Sequence, residues 1–425
     1  MEVLEIIEKL NPWWAGRDFE SGICRESYIK KVKDFIKTGE ILILTGVRRS
    51  GKTTLLLQTV NYLLEKGVKP KQILFVNFDE ADLATIKDPI QTILNAYYHG
   101  VCNDEEKAYF IFDEIQNVGG WERWAKTIYD HKFNQLILSG SSSHLLDNKL
   151  ATLISGRYLK IKVFPLDLRE YLNFMGLSQL KSRLDLAGNK NKIMRLLKEY
   201  LLNGGFPRVA LQKEERLKRE HLKIYYESII YKDILLMHNV RNSKLMKELI
   251  YYLLSNFTGL YSYKGLSELL KIDFITIKEY LNYIEESRIL FELPIFSYSL
   301  KVQSRNNKKI YCIDNGLRNS VSFKFSKDEG KLAENLVFVE LQRKEKDIYY
   351  WKNKGEIDFV IKNRDNSLTA INVSYTNNIN QREIESLLEF KSVFGKTKEL
   401  ILLTKDLEKQ EKGIKFIPLW KWLLK

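Results

Sequence analysis

The sequence holds few of the residues on which covalent or metal-based scaffolds are built. Its three cysteines, Cys24, Cys102 and Cys312, stand far apart in the chain. That excludes a disulfide framework and the paired spacings of a zinc knuckle. The five histidines are scattered and none belongs to an HExxH arrangement, which removes a common helical zinc motif. There are only seven prolines and no Pro- or Ser-rich tract, so no segment reads as a long linker and the domains are expected to pack on one another. No apolar run approaches the ~18 residues that a membrane span needs. The opening MEVLEIIEKLNPWW is acidic and amphipathic, unlike a secretory leader. These absences lead to the expectation of a soluble, cytoplasmic protein with no membrane partner.

A length of 425 residues predicts about two to four domains. Hydrophobic residues make up 44% and charged residues 29%, a balance that can bury real cores. Lysine and arginine outnumber aspartate and glutamate 68 to 54, for a formal charge of +14. Such an excess favours polyanionic partners, nucleic acid above all; a lysine-rich solvated surface gives the same count.

The most specific segment is GVRRSGKT, residues 46–53, which fills G-x-x-x-x-G-K-[ST] throughout. It follows the apolar run EILILT and precedes TLLLQTVNYLLEK, an amphipathic helical pattern stopped at Gly67. Strand, glycine-rich loop and helix in that order make a phosphate cradle. Gly46 and Gly51 let the backbone approach phosphates. Lys52 is placed to reach the β- and γ-phosphates and the Thr53 hydroxyl to bind Mg²⁺. The expected nucleotide-binding set is Gly46, Arg49, Ser50, Gly51, Lys52, Thr53 and Thr54.

A nucleotide hydrolase also needs acids at the end of a neighbouring strand. AYFIFDEIQNV provides them. Asp113 is expected to hold Mg²⁺ and Glu114 to act as general base on the attacking water. Two solvated acids at a strand end are the bland alternative, and beside a full phosphate loop it carries less weight. QLILSGSSS ends in serines, of which Ser139 or Ser141 is a candidate γ-phosphate contact. Arg157, in SGRYLKI, is either a charge-neutralising catalytic arginine, in cis or toward a neighbouring subunit, or an ion-paired arginine at a strand edge. With QILFVNFD and YLKIKVF as further strands, the pattern gives an α/β fold with a parallel sheet over residues 1–165.

Residues 166–240 read as helical and are expected to form a lid on the nucleotide site, with Gly204 and Gly205 as a helix stop. Residues 241–325 read as three helices followed by two strand-like runs joined by KVQSRNN, the pattern of a winged helix-turn-helix. Its third helix would present Thr276, Lys278 and Glu279 to a major groove. Lys301, Arg305, Lys308 and Lys309, in a connection without acids, would meet phosphates. Glu279, Glu285 and Glu286 on the same helix argue instead for a protein-packing role. Residues 326–425 read as helix, strand, strand, strand, helix, strand, with Glu334 on the helix and Asp358 within a strand.

Together GVRRSGKTTLL, FIFDEIQNVGGWERW, LILSGSSSHLL, SGRYLKIKVFPLDLREYL and NGGFPRV resemble a family of archaeal and bacterial AAA-type ATPases. KKIYCIDNGLRN, KLAENLVFVEL and YYWKNKGEIDFVI resemble that family's C-terminal region, a winged helix followed by a domain similar to the PD-(D/E)XK restriction-endonuclease fold. The resemblance implies ATP and Mg²⁺ as ligands. It places Ser141 at the family's Gly-Ser step, Arg157 at its Gly-Arg step, and Glu334 and Asp358 at the first two acidic positions of the nuclease-like domain. At the third position the chain has Asn372, Val373 and Ser374 where the pattern asks for an acid, one residue and a lysine, so this domain is expected to be inactive. The resulting expectation is an ATP-hydrolysing switch acting on duplex DNA or on a protein partner, with no oligomeric state implied. An ATP-dependent nuclease and a signalling ATPase that touches no nucleic acid are its rivals.

Overall fold

In the first sheet the strands ILILT, ILFVN and YFIFD are short apolar runs, each closed by a polar residue. The computed structural model describes residues 2–102, 107–131, 134–140, 156–178, 180, 182–322 and 329–425. The chain divides into two units, Met1–Val163 and Phe164–Lys425. In the first, β1 (Ile41–Thr45), β2 (Ile73–Asn77), β3 (Tyr109–Asp113), β4 (Gln135–Gly140) and β5 (Tyr158–Lys162) form one sheet in the order β2-β3-β4-β1-β5. Every neighbouring pair is parallel. β1 is buried along its whole length, as a parallel strand covered on both faces must be. Ile41 and Ile43 face one core, with Leu74, Val76, Phe110 and Phe112, beneath the helices Pro89–Gly100 and Trp121–Asp130. Leu42 and Leu44 face the other, with Leu55, Leu56 and Val60 of the helix Lys52–Glu65. Alternation along the strand therefore divides its side chains between two layers.

The N-terminal segment closes the far edge of this sheet. Helix Val3–Leu10 buries Ile6 and Ile7. Asn11 then pairs with β2 through its side chain: Nδ2 donates to Phe75 O at 2.8 Å, and Phe75 N donates to Oδ1 at 2.7 Å. One amide thus satisfies both backbone groups of an edge-strand residue.

The second unit begins with helices, among them Leu168–Phe174, Lys190–Asn203 and Glu215–Ser228, the last running on into a π-helical stretch, Ile229–Leu236. The helix stop read at Gly204 and Gly205 is also a packing point. Gly204 has φ 74°, and a Cβ there would lie 1.9 Å from Asp314 Oδ1. Gly205 N donates to Asp314 Oδ2 at 2.6 Å. Next come the helix Ser243–Ser255, β6 (Leu260–Tyr261), the helices Tyr263–Leu270 and Phe274–Glu286, β7 (Leu290–Leu293) and β8 (Lys308–Cys312). The three strands form an antiparallel sheet in the order β6-β8-β7. The connection between β7 and β8 contains a short helix, Leu300–Arg305.

The last segment follows the helix Glu329–Arg343 with β9 (Asp347–Lys352), β10 (Glu356–Lys362), β11 (Leu368–Ser374), the helix Gln381–Val393 and β12 (Thr397–Thr404). It then adds β13 (Lys409–Glu411), β14 (Ile414–Pro418) and the helix Leu419–Leu423, which the expected order left out. The sheet has six strands, in the order β13-β14-β12-β11-β10-β9. Among the described residues no helix is long and apolar enough to cross a membrane.

Candidate nucleotide site

β1 delivers the chain to the loop at Thr45, and the helix Lys52–Glu65 carries it away. Between them the backbone turns through left-handed conformations at Arg49, φ 67°, and Gly51, φ 96°. Only glycine adopts this region without penalty, so Arg49 holds local strain, a common feature of ligand-binding loops. Gly46 is needed for space, since a Cβ there would lie 2.1 Å from Val163 O. The Lys52 side chain is buried and folds back into the loop, its Nζ donating to Gly46 O at 2.9 Å and Val47 O at 3.3 Å.

β3 brings Asp113 beside the first turn of that helix. Thr53 Oγ1 donates to Asp113 Oδ2 at 2.6 Å. The other carboxylate oxygen accepts from the Ser139 hydroxyl on β4 and from Glu114 N at 3.1 Å. Asp113 is fully buried. Burial first, then the neighbouring Glu114, pushes its carboxyl above the ordinary aspartate range, against the hydrogen bonds of Ser139 and Thr53 and the charge of Lys52. Glu114 stands one residue on, at φ 51°, with Oε2 accepting from the Gln116 amide.

This donor set fits a Mg²⁺ ion. A hydroxyl and a buried carboxylate are hard oxygen ligands of the kind that ion prefers. Thr45 Oγ1 and Ser50 Oγ, both buried at the loop, have no hydrogen-bond partner among the described residues. Orphaned hydroxyls beside a glycine-rich loop suit a ligand rich in oxygen.

Other sequence candidates fall elsewhere. Of the two serines offered for a γ-phosphate contact, Ser139 is buried, its hydroxyl donating to Asp113 and accepting from Glu114 N. Ser141 lies outside the described residues. Arg157 opens β5 at the amino end of the sheet, where its carbonyl accepts from Ile41 N. Thr45 is four residues further along β1, about 13 Å at the rise of an extended strand. Arg157 Nη1 instead donates to Asp130 Oδ1 at 3.0 Å. Phosphates bound at the carboxyl ends are out of its reach in cis, because parallel strands put their two ends on opposite edges of the sheet.

Sequence reasoning passed over Arg25. Its guanidinium is buried behind the loop, with Nη1 donating to Ser50 O at 2.8 Å and its plane over the Tyr28 ring. It buttresses the loop from a position 25 residues upstream, where no local pattern marks it. Lys309, expected on the surface of the connection, is also buried. It pairs with Glu334, Asp358 and Glu356, the last of which sequence reasoning also missed.

Residues 38–172 match a family model described as an AAA domain. Residues 194–328 and 329–422 match two models described as domains of unknown function, DUF8612 and DUF4143. An uncharacterised protein of Haemophilus influenzae is 31% identical over 409 residues, covering 95% of this chain and 98% of that one. The uncharacterised protein MJ1544 of Methanocaldococcus jannaschii is 32% identical over 423 residues, covering 95% and 91%. Among solved structures, the Aeropyrum pernix Orc1 protein in complex with DNA aligns with 73% of this chain and 95% of its own, at 10% identity and TM-score 0.35.

The phosphate loop, the parallel order of the sheet and the family match mark residues 38–172 as an AAA-type P-loop domain. The chain as a whole belongs to the family of the Haemophilus influenzae protein and MJ1544, which it matches almost from end to end.

Proposed function

We propose that the protein binds ATP with Mg²⁺, hydrolyses it slowly, and uses the cycle to switch its action on a macromolecular partner. The observation that carries this reading is the 2.6 Å bond joining Thr53 to the buried Asp113, with Glu114 next in the chain. Mg²⁺, held by Thr53 and Asp113, would neutralise charge on the phosphates. Lys52 leaves its loop carbonyls for the β- and γ-phosphates, and the loop N–H groups hold the remaining oxygens. Glu114 takes the proton of the attacking water. Ser139 and Thr53 fix Asp113 in orientation, and Arg25 braces the loop. For Arg157, action on a neighbouring subunit is the form of the proposal that remains.

In the second unit, the order of elements from Ser243 to Cys312 supports a winged helix-turn-helix. The segment from Glu329 onward supports a nuclease-like architecture without nuclease activity. A protein partner is favoured over DNA by the leading end of the third helix. Thr276 there bonds Asp273 at 2.6 Å, while Phe274 and Ile275, and Leu269 on the preceding helix, are exposed. The test is ATP hydrolysis by the whole protein, with and without duplex DNA, at two salt concentrations. Turnover should vanish in Lys52→Ala. Stimulation by DNA that fades with salt would assign the partner to DNA. Hydrolysis that persists in Lys52→Ala would overturn the nucleotide reading.

A further inference from the structure

The second unit contains a centre in which a lysine stands where an acid cluster would otherwise collect a metal. Lys309 reaches it from β8, Glu334 from the helix Glu329–Arg343, and Glu356 and Asp358 from β10. Lys309 Nζ lies 3.0 Å from Glu334 Oε1, 2.8 Å from Glu356 Oε1 and 3.0 Å from Asp358 Oδ1, with 3% of the lysine side chain exposed. An ammonium has three N–H donors and no acceptor, so these carboxylates use its whole capacity.

The surroundings keep the carboxylates turned inward. β10 slips register against β9 between Ile357 and Val360, and a bulge of that kind re-aims the side chains it carries. Asp358 Oδ2 accepts from Val373 N at 2.9 Å. Glu334 Oε1 also accepts from the Tyr311 hydroxyl at 2.7 Å. Glu356 Oε2 faces Lys352 at 3.5 Å. Asn372 is spent on the frame, its Nδ2 donating to Glu356 O at 3.2 Å and Glu383 Oε2 at 2.8 Å.

We infer that Lys309 is the resident cation of this centre: its ammonium takes the place a divalent ion would occupy among Glu334, Glu356 and Asp358, and closes the centre to such ions. The spacing agrees. Oxygens 2.8 to 3.0 Å from Nζ are set for N–H donors, whereas Mg²⁺ needs about 2.0–2.1 Å and Ca²⁺ about 2.3–2.6 Å. Burial works against the lysine's charge, yet the carboxylates, Glu334 foremost, keep it protonated well above its ordinary range. A lysine that activates water beside a bound metal must leave the carboxylates free for that metal. Here its protons occupy them.

The centre lies wholly within the second unit, so its test is separate from that of the nucleotide site. The probe is Mn²⁺, followed by electron paramagnetic resonance on the full, nucleotide-free chain. Wild-type protein should show no Mn²⁺ binding that Asp358→Asn removes. Lys309→Met should gain one Mn²⁺ at an affinity at least about tenfold above wild type, because three carboxylates then share one site without the ammonium between them. Lys309→Met/Asp358→Asn should lose it again. If Lys309→Met folds poorly, Mn²⁺ should restore its melting temperature. Asp358-dependent binding in the wild type would overturn the inference. So would a Lys309→Met protein that neither binds Mn²⁺ nor is stabilised by it.

Discussion

Glu114→Gln separates binding from chemistry at the nucleotide site. The substitution keeps size and shape but removes the charge that accepts a proton. Its surroundings change little: Gln116 holds Oε2, and the backbone N–H of residue 114 stays on Asp113 Oδ1 at 3.1 Å. The bond from Thr53 to Asp113, 2.6 Å long, is untouched, so the metal and phosphate ligands remain in place. Loss of a general base lowers rates by roughly 10²–10⁴-fold, or about 3–5 kcal/mol at 1.36 kcal/mol per decade. Nucleotide affinity should move by less than about threefold, since the interaction is made in the transition state and not in the ground state. The assay is single-turnover phosphate release from Mg²⁺-ATP, paired with titration of a fluorescent nucleotide. Wild-type turnover in Glu114→Gln would refute the assignment of the base. Equal losses of rate and affinity would make Glu114 a binding residue.

Two further outcomes concern the second unit. Burial, and after it the neighbouring Glu292, pushes the Glu285 carboxyl up to about 7 from 4.5. Between those values the native chain holds a proton that the unfolded chain has released. The stability linked to Glu285 is therefore complete below the unfolded value and lost as pH rises through the folded one. Glu285→Gln should stabilise the protein by about 2–3 kcal/mol at pH 8 and by little at pH 4.5; urea melts showing the same difference at both pH values would refute this. Incubation with supercoiled, linear and branched DNA in Mg²⁺ or Mn²⁺ should give no cleavage, and cleavage abolished by Asp358→Ala would reverse that reading.

The phosphate loop was legible because its parts are contiguous: strand, GVRRSGKT and helix occupy one short window whose geometry is set by local backbone chemistry. The parallel sheet was legible for a similar reason, as runs such as YFIFD must be buried on both faces. What stayed hidden was set by contacts across the chain. Lys309 reads as a surface cation between Lys308 and Ile310, and only the fold brings Glu334 and Asp358 to it. Arg157 is adjacent to β5 in sequence, but its distance from the phosphates depends on which end of the strand it opens. Strand direction relative to the site follows from the parallel order, and it favours the ion-paired form of Arg157 within one chain. Arg25 carries no signal at all, since a buttress beneath a loop needs only one guanidinium at the right place.

Net charge in the sequence is not charge available to a partner, and the connection between β7 and β8 shows the difference. Of the four basic residues in that connection and at the start of β8, Lys309 is spent in the acid centre. Lys308 lies over the Tyr263 ring at 4.2 Å and 3.8 Å from Glu292. Lys301 and Arg305 remain exposed, beside Tyr298 at 71% and Leu300 at 79% exposure. If this surface meets DNA phosphates, each contact contributes about 0.9 to the slope of log affinity against log salt. Lys301→Gln with Arg305→Gln should then flatten the slope by about 1.8, and adding Lys308→Gln should change it further by much less. Binding to a labelled duplex across a salt series measures both. An unchanged slope in the double variant would remove this surface from phosphate contact and leave it to a protein partner, for which the exposed Tyr298 and Leu300 are suited. A further drop from Lys308→Gln as large as that from each of the other two would show that Lys308 leaves Glu292 and Tyr263 on binding.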